Sequence, residues 1–117
     1  MTDSQTLLTE YAQKGSEPAF RELVARYLNF VYSTAARLVG GDCHLAEEVT
    51  QTVFIHLAQK AHRPPNDVML GGWLHRDACN VASNMMRGQR RRQARERQAA
   101  EMNALQDHSR ENLARIT

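Results

Sequence analysis

The chain has 117 residues, 42% apolar and 24% charged, the balance of one small globular domain with too little length for two. Its polar start predicts no signal peptide, and no apolar run approaches the roughly 20 residues that cross a bilayer. Two cysteines, Cys43 and Cys79, exclude a disulfide framework and make a reducing, cytoplasmic compartment the expectation.

Every segment reads as helix, and none alternates in the manner of a strand. Asp3 or Ser4 can cap a first helix carrying Leu7, Leu8, Tyr11 and Ala12, which Lys14-Gly15 stops. Ser16 caps the next, with Glu17 and Pro18 in a first turn where a missing N–H costs little. From Phe20 through Leu23, Val24, Tyr27, Leu28, Val31, Tyr32, Ala35 and Leu38 to Val39, apolar residues recur at steps of three and four. That stripe predicts a long core helix over 17–39, ended by Gly40-Gly41. Asp42 caps a third helix reaching Ala61, with Glu47 and Glu48 near its positive end and Leu45, Ala46, Val49, Val53, Phe54 and Leu57 on its buried side. Glu48, Gln51, Thr52 and Ile55 share another side of it. A polar row with one exposed aliphatic is either a protein-docking surface or a solvated face.

His62 to Asp67, with Pro64 and Pro65, breaks the pattern and predicts a loop, and Gly71-Gly72 loosens the approach to the last helix. From about residue 72 this helix has two faces. Leu74, Ala78, Val81, Ala82 and Met85 can be buried together, while Trp73, Arg76, Asn80, Asn84 and Arg87 form a second, exposed line. An aromatic ring, two amides and a row of arginines are the equipment of a nucleic-acid surface. The formal net charge is only +2. Between Arg87 and Arg97, however, six arginines (Arg87, Arg90, Arg91, Arg92, Arg95 and Arg97) face a single Glu96, which leaves the rest of the chain acidic on balance. A localised polyanion contact explains this, as does a solvated helix end whose cations suit the dipole. After Arg97 apolar residues become sparse, so 1–97 is expected to be the domain and 98–117 a helical or frayed tail.

No enzyme constellation stands out, with neither a phosphate-binding glycine loop nor a nucleophile elbow nor a metalloprotease pair, so no catalysis and no cofactor are expected. His75 and Cys79 stand four apart on one helix, but two ligands do not make a zinc site, and a sulfur packed inward is the simpler account of Cys79. His56, His62 and His108 are scattered and suggest no chemistry.

Two motifs nevertheless match a family pattern in order and separation. Ala46-Glu47-Glu48-Val49-Thr50-Gln51-Thr52-Val53-Phe54 and, after a proline loop, Trp73-Leu74 through Asn80, Asn84 and Arg87 resemble region two of a bacterial sigma-70-family factor of the extracytoplasmic-function (ECF) type. Glu48 stands where Asp is commoner. The resemblance spans about Leu7 to Arg97 and implies an all-α, compact bundle of about four helices. Further, it implies a transcription initiation factor domain that binds core RNA polymerase and recognises and melts the minus-ten promoter element. Glu48, Gln51, Thr52 and Ile55 would then dock on the clamp helices of the beta-prime subunit. Arg76, Asn80 and Asn84, with Arg87, Arg90, Arg91, Arg92 and Arg95, would bind the non-template strand, the amides at base edges and the arginines at phosphates. Trp73 would be either a structural ring between helices or a stacking platform. The loop from Arg63 to Leu70 would hold a flipped base, an anti-sigma factor is a further partner the family allows, and no membrane contact is expected. Family members normally carry a second helix-turn-helix domain, region four, after a linker, and 98–117 resembles the start of that linker. A duplex-binding helix-turn-helix regulator and a helical interaction module without DNA binding are the competing readings. The first would prefer double-stranded DNA, the sigma reading a single strand, and the module neither.

Overall fold

The computed structural model describes residues 3–61 and 69–116, with side chains through residue 108. Four helices make up nearly all of it: α1 (Ser4–Lys14), α2 (Glu17–Leu38), α3 (Cys43–Lys60) and α4 (Leu70–Ile116). The all-α, four-helix expectation holds, and the described residues contain no strand. They fall into two compact units, Met1–Met85 and Met86–Thr117. The expected proline loop, and most of the Arg63–Leu70 segment assigned to a flipped base, lie outside the described residues.

Local chemistry explains the boundaries. The Ser16 hydroxyl accepts from the Ala19 amide at 3.3 Å, and the Asp42 carboxylate accepts from the Leu45 amide at 3.2 Å. Each supplies a partner for a first-turn donor that the helix itself cannot satisfy. Asp3 takes the N-cap place of α1 without a side-chain bond; its carbonyl accepts from Leu7, while the Ser4 hydroxyl reaches the Tyr27 phenol at 3.0 Å. Between α2 and α3 the chain reverses through Gly40 and Gly41 at φ +67° and +84°, left-handed values that a side chain would oppose.

The core of the first unit comes from one face of each helix. Leu8 of α1, Leu23, Val31 and Ala35 of α2, Ala46, Val49 and Val53 of α3, and Leu74 and Ala78 of α4 are almost wholly buried. Two departures from the sequence reading concern α2 and α4. Leu28 and Leu38, expected in the core, are 44% and 40% exposed. Over six turns the α2 stripe is wider than the one face its neighbours cover, and the surplus stays outside. Helix α4 begins at Leu70, so Gly71 and Gly72 sit inside its first turn and do not precede it. The Trp73 amide bonds the Met69 carbonyl at 3.1 Å, and Leu70 is buried at 4% exposure, which together anchor that turn. The tail is helical to Ile116.

Thr34 of α2 is 2% exposed, and its hydroxyl has no hydrogen-bond partner. An unsatisfied buried hydroxyl costs about 1–3 kcal/mol, so Thr34→Val is expected to raise unfolding free energy by about 1 kcal/mol in urea denaturation. In the same assay Leu74→Ala should lower it by about 2–5 kcal/mol.

Candidate docking face and nucleic-acid interface

Along α3 the 3.6-residue period places two surfaces back to back. Ala46, Val49, Val53 and Leu57 turn inward, and Glu48, Gln51 and Ile55 are exposed, Ile55 at 55%. Thr52 is half-buried, and its hydroxyl donates to the Glu48 carbonyl at 2.8 Å, leaving mainly its methyl and lone pairs for outside contacts. Beside this row, between α2 and α3, runs an apolar groove of about 420 Å³ lined by Phe20, Val24 and Leu28 against Gln51, Phe54 and Ile55. Gln51 also borders a second hollow of about 330 Å³ with Asn29, Tyr32 and Glu47. The neighbouring Cys43 sulfur, through a hydrogen bond and then its negative charge, raises the Tyr32 phenol above its ordinary value, with burial and the Glu47 carboxylate adding to the shift.

The sequence reading missed the α2 half of this face because Leu28 fits the helical core period. What distinguishes it is that the α2 stripe is too wide to be buried by one neighbour. Of the surplus apolar surface of α2, Leu28 meets the lone exposed aliphatic of α3, Ile55, along one groove. Contiguous exposed apolar surface rimmed by polar groups is the usual composition of a protein-binding patch.

In the first unit, α4 divides along the expected line except at Met85 and Trp73. Leu74, Ala78, Val81 and Ala82 are buried, Met85 is half-buried, and Arg76, Asn80 and Asn84 are exposed. Trp73 is half-buried, with part of its ring available and part enclosed. At about 1.5 Å per residue, Trp73 to Asn84 covers about 16 Å, enough to meet several nucleotides. The second unit carries Arg87, Arg90, Arg91, Arg92 and Arg95, all exposed along its helix. Their guanidinium groups present donors in a fork that suits phosphate.

Polar and ring contacts also join α4 to its neighbours. His56 Nδ1 on α3 and Asp77 Oδ2 on α4 lie 2.8 Å apart, and the rings of Phe30 on α2 and His75 on α4 have centroids 6.4 Å apart. The sequence marks His75 only through its spacing from Cys79, and nothing in the spacing of His56 and Asp77 reveals that two helices cross there. His75 Nε2 and Cys79 Sγ approach at 3.7 Å, and among the described residues no three potential metal ligands come together. No helix among them is long and apolar enough to cross a membrane.

Comparison with known proteins shows the family of the chain. Residues 23–92 match the family model of sigma-70 region 2. The chain is 37% identical over 87 residues to the ECF RNA polymerase sigma-E factor of Escherichia coli (strain K12), covering 74% of this chain and 44% of that protein. The proteins of the same name from Shigella flexneri and Salmonella typhimurium (strain LT2) match with the same identity and coverage. The chain therefore spans less than half the length of these relatives. No solved structure matches at comparable significance.

The two sides of α3 should respond oppositely to one charge. Ile55→Asp should change unfolding free energy by no more than about 0.5 kcal/mol, as an exposed substitution. Val53→Asp, which buries an unpaired carboxylate, should abolish cooperative unfolding by circular dichroism.

Proposed function

The chain belongs to the sigma-70 region 2 family, and on that premise we propose that it is the part of a transcription initiation factor that binds core RNA polymerase and recognises and opens the minus-ten promoter element. The observation that carries this reading is the pairing, on one small bundle, of two differently equipped outer faces. One is a polar row with Ile55 beside an apolar groove; the other is a ring, amides and an arginine on α4.

In this reading Glu48, Gln51, Thr52 and Ile55 meet the clamp helices of the polymerase beta-prime subunit, and the groove beside them accepts apolar side chains from that partner. An interface with an apolar centre and a polar rim is how stable protein contacts are built. Docking places α4 against the non-template strand. Holding a base outside the stack costs a few kcal/mol. Stacking on an aromatic such as Trp73 returns about 1–3 kcal/mol per base. Asn80 and Asn84 present both a donor and an acceptor to base edges, so they supply discrimination. Arg76 in the first unit and Arg87, Arg90, Arg91, Arg92 and Arg95 in the second supply phosphate contacts, which add affinity without sequence preference. Polymerase and promoter place the activity in the cytoplasm, and an anti-sigma factor covering either face would silence it. No step of this role asks the chain for bond chemistry of its own.

Binding to a fragment comprising the polymerase clamp helices tests the first half. The parent chain is expected to bind, with Gln51→Ala weaker and Glu48→Lys weaker by about tenfold or more. A parent that fails to bind removes the main support of the reading. For the second half, single-stranded oligonucleotide affinity is measured against salt. Arg91→Ala should weaken all sequences about equally and flatten the salt slope by about one. Asn80→Ala should lower the preferred sequence more than the others, and an equal loss across sequences rules out base reading by Asn80.

A further inference from the structure

The apolar stripe that seats α4 cannot by itself set the helix closely. Ala78 and Ala82 are small, and hydrophobic burial is non-directional, so a modest rotation or slide costs little. Base reading tolerates no such slack. At a helix radius of about 5–6 Å, a rotation of about 20° carries a side chain roughly 2 Å, more than a hydrogen bond survives. Something directional must fix α4 if Asn80 is to meet a base edge.

The contact between His56 and Asp77 has that character. Its partners stand 2.8 Å apart, with the histidine side chain 38% and the aspartate 18% exposed. At about 100° per residue, Asp77 lies about 40° round the helix from Trp73 and about 60° from Asn80, on the flank leading to buried Leu74 and Val81. It therefore stands on the seam between the buried stripe and the outward row. His56 follows Ile55 on α3, so the bond runs from the helix of the docking face to the helix of the base-reading face. The ring contact of Phe30 with His75 braces the same stretch of α4 from α2.

We propose that His56 and Asp77 are positioning residues, whose bond fixes the rotation and register of α4 on α3 and thereby holds Trp73 and Asn80 in reading geometry. This rests on the function proposed above. Neither residue touches nucleic acid; each acts through the residues beside it.

The test compares the parent with His56→Ala, Asp77→Ala, the double variant and Asp77→Asn, which retains a hydrogen-bonding oxygen. Each is assayed for urea unfolding, for binding to the clamp-helix fragment, and for affinity toward oligo-dT, oligo-dA, oligo-dC and mixed-sequence single strands across salt. Both alanine variants should lose roughly three- to tenfold of the preference between best and worst strand. Their salt slopes and clamp-fragment binding should stay parental, because the arginines and the α3 row are untouched. The double variant should be no worse than either single one, and Asp77→Asn should recover most of the loss. Should an alanine variant fail to fold, Asp77→Glu carries the test, since it keeps the charge while lengthening the arm: it should fold and still lose preference. Alanine variants, or a folded Asp77→Glu, that keep the parental preference reduce the pair to a brace and overturn the proposal while leaving the base-reading function intact. A parent chain without strand preference removes base reading and the pair's role together.

Discussion

One helix in this protein has to satisfy two surfaces at once, and a period of 3.6 residues decides how. Once Leu74, Ala78, Val81 and Ala82 are buried, the outward positions of α4 are no longer free, and Arg76, Asn80 and Asn84 must face solvent. The magnitudes leave little doubt which effect governs. A fully buried leucine contributes about 1.5–3 kcal/mol and a helix cap about 1 kcal/mol. An exposed ion pair such as Arg21 with Glu17, both side chains about four-fifths exposed at 3.9 Å, contributes between nothing and about 1 kcal/mol. Packing therefore chooses the face, and polar contacts refine it.

The same rule shapes α3, with a different result. Its buried side is rich in β-branched and aromatic residues, so its outer row can be short and still project firmly. Helix α2 carries more apolar surface than one neighbour covers, and Leu28 is left at 44% exposure beside Ile55 at 55%. In an isolated domain that surface is a small liability. Under the proposed role the part of it beside Gln51, Leu28 with Ile55, is what a docking partner covers, while Phe30 and Leu38 are exposed elsewhere on α2.

Much of this was readable before any coordinates. Caps at Ser16 and Asp42, the glycines at Gly15 and Gly40-Gly41 and apolar periodicity place the helices to within a residue or two, because each signal is local. The inward and outward rows of α3 and α4 follow from period alone. What stayed hidden depends on relations between helices. Leu28 matches the core period, and only the finite width of its neighbours exposes it. The contact of His56 with Asp77 joins positions 21 apart in the chain, and no spacing rule foretells where two helices cross. Gly71 and Gly72 mislead for another reason: first-turn amides lack helical partners in any case, so the intrinsic cost of glycine is small there, and the burial of Leu70 outweighs it. For Trp73 the spacing allows burial and stacking alike, and the half-buried residue is compatible with part of each.

Under the proposed role, the stretches of α4 in the first and second units differ in what they contribute to binding. A row of arginines on a helix that buries little attracts any polyanion, and its grip weakens steeply with salt. Amides on a packed helix discriminate between bases, but each contact is weak in net terms because it replaces a bond to water. Neither half suffices alone: arginines without fixed amides bind without choosing, and amides without arginines choose without holding. On this proposal discrimination is confined to the part of α4 that packs on the other helices and is held there by directional contacts. Charge can be carried by the remainder, since a phosphate contact made by a long, flexible guanidinium tolerates an error in angle that a base edge does not.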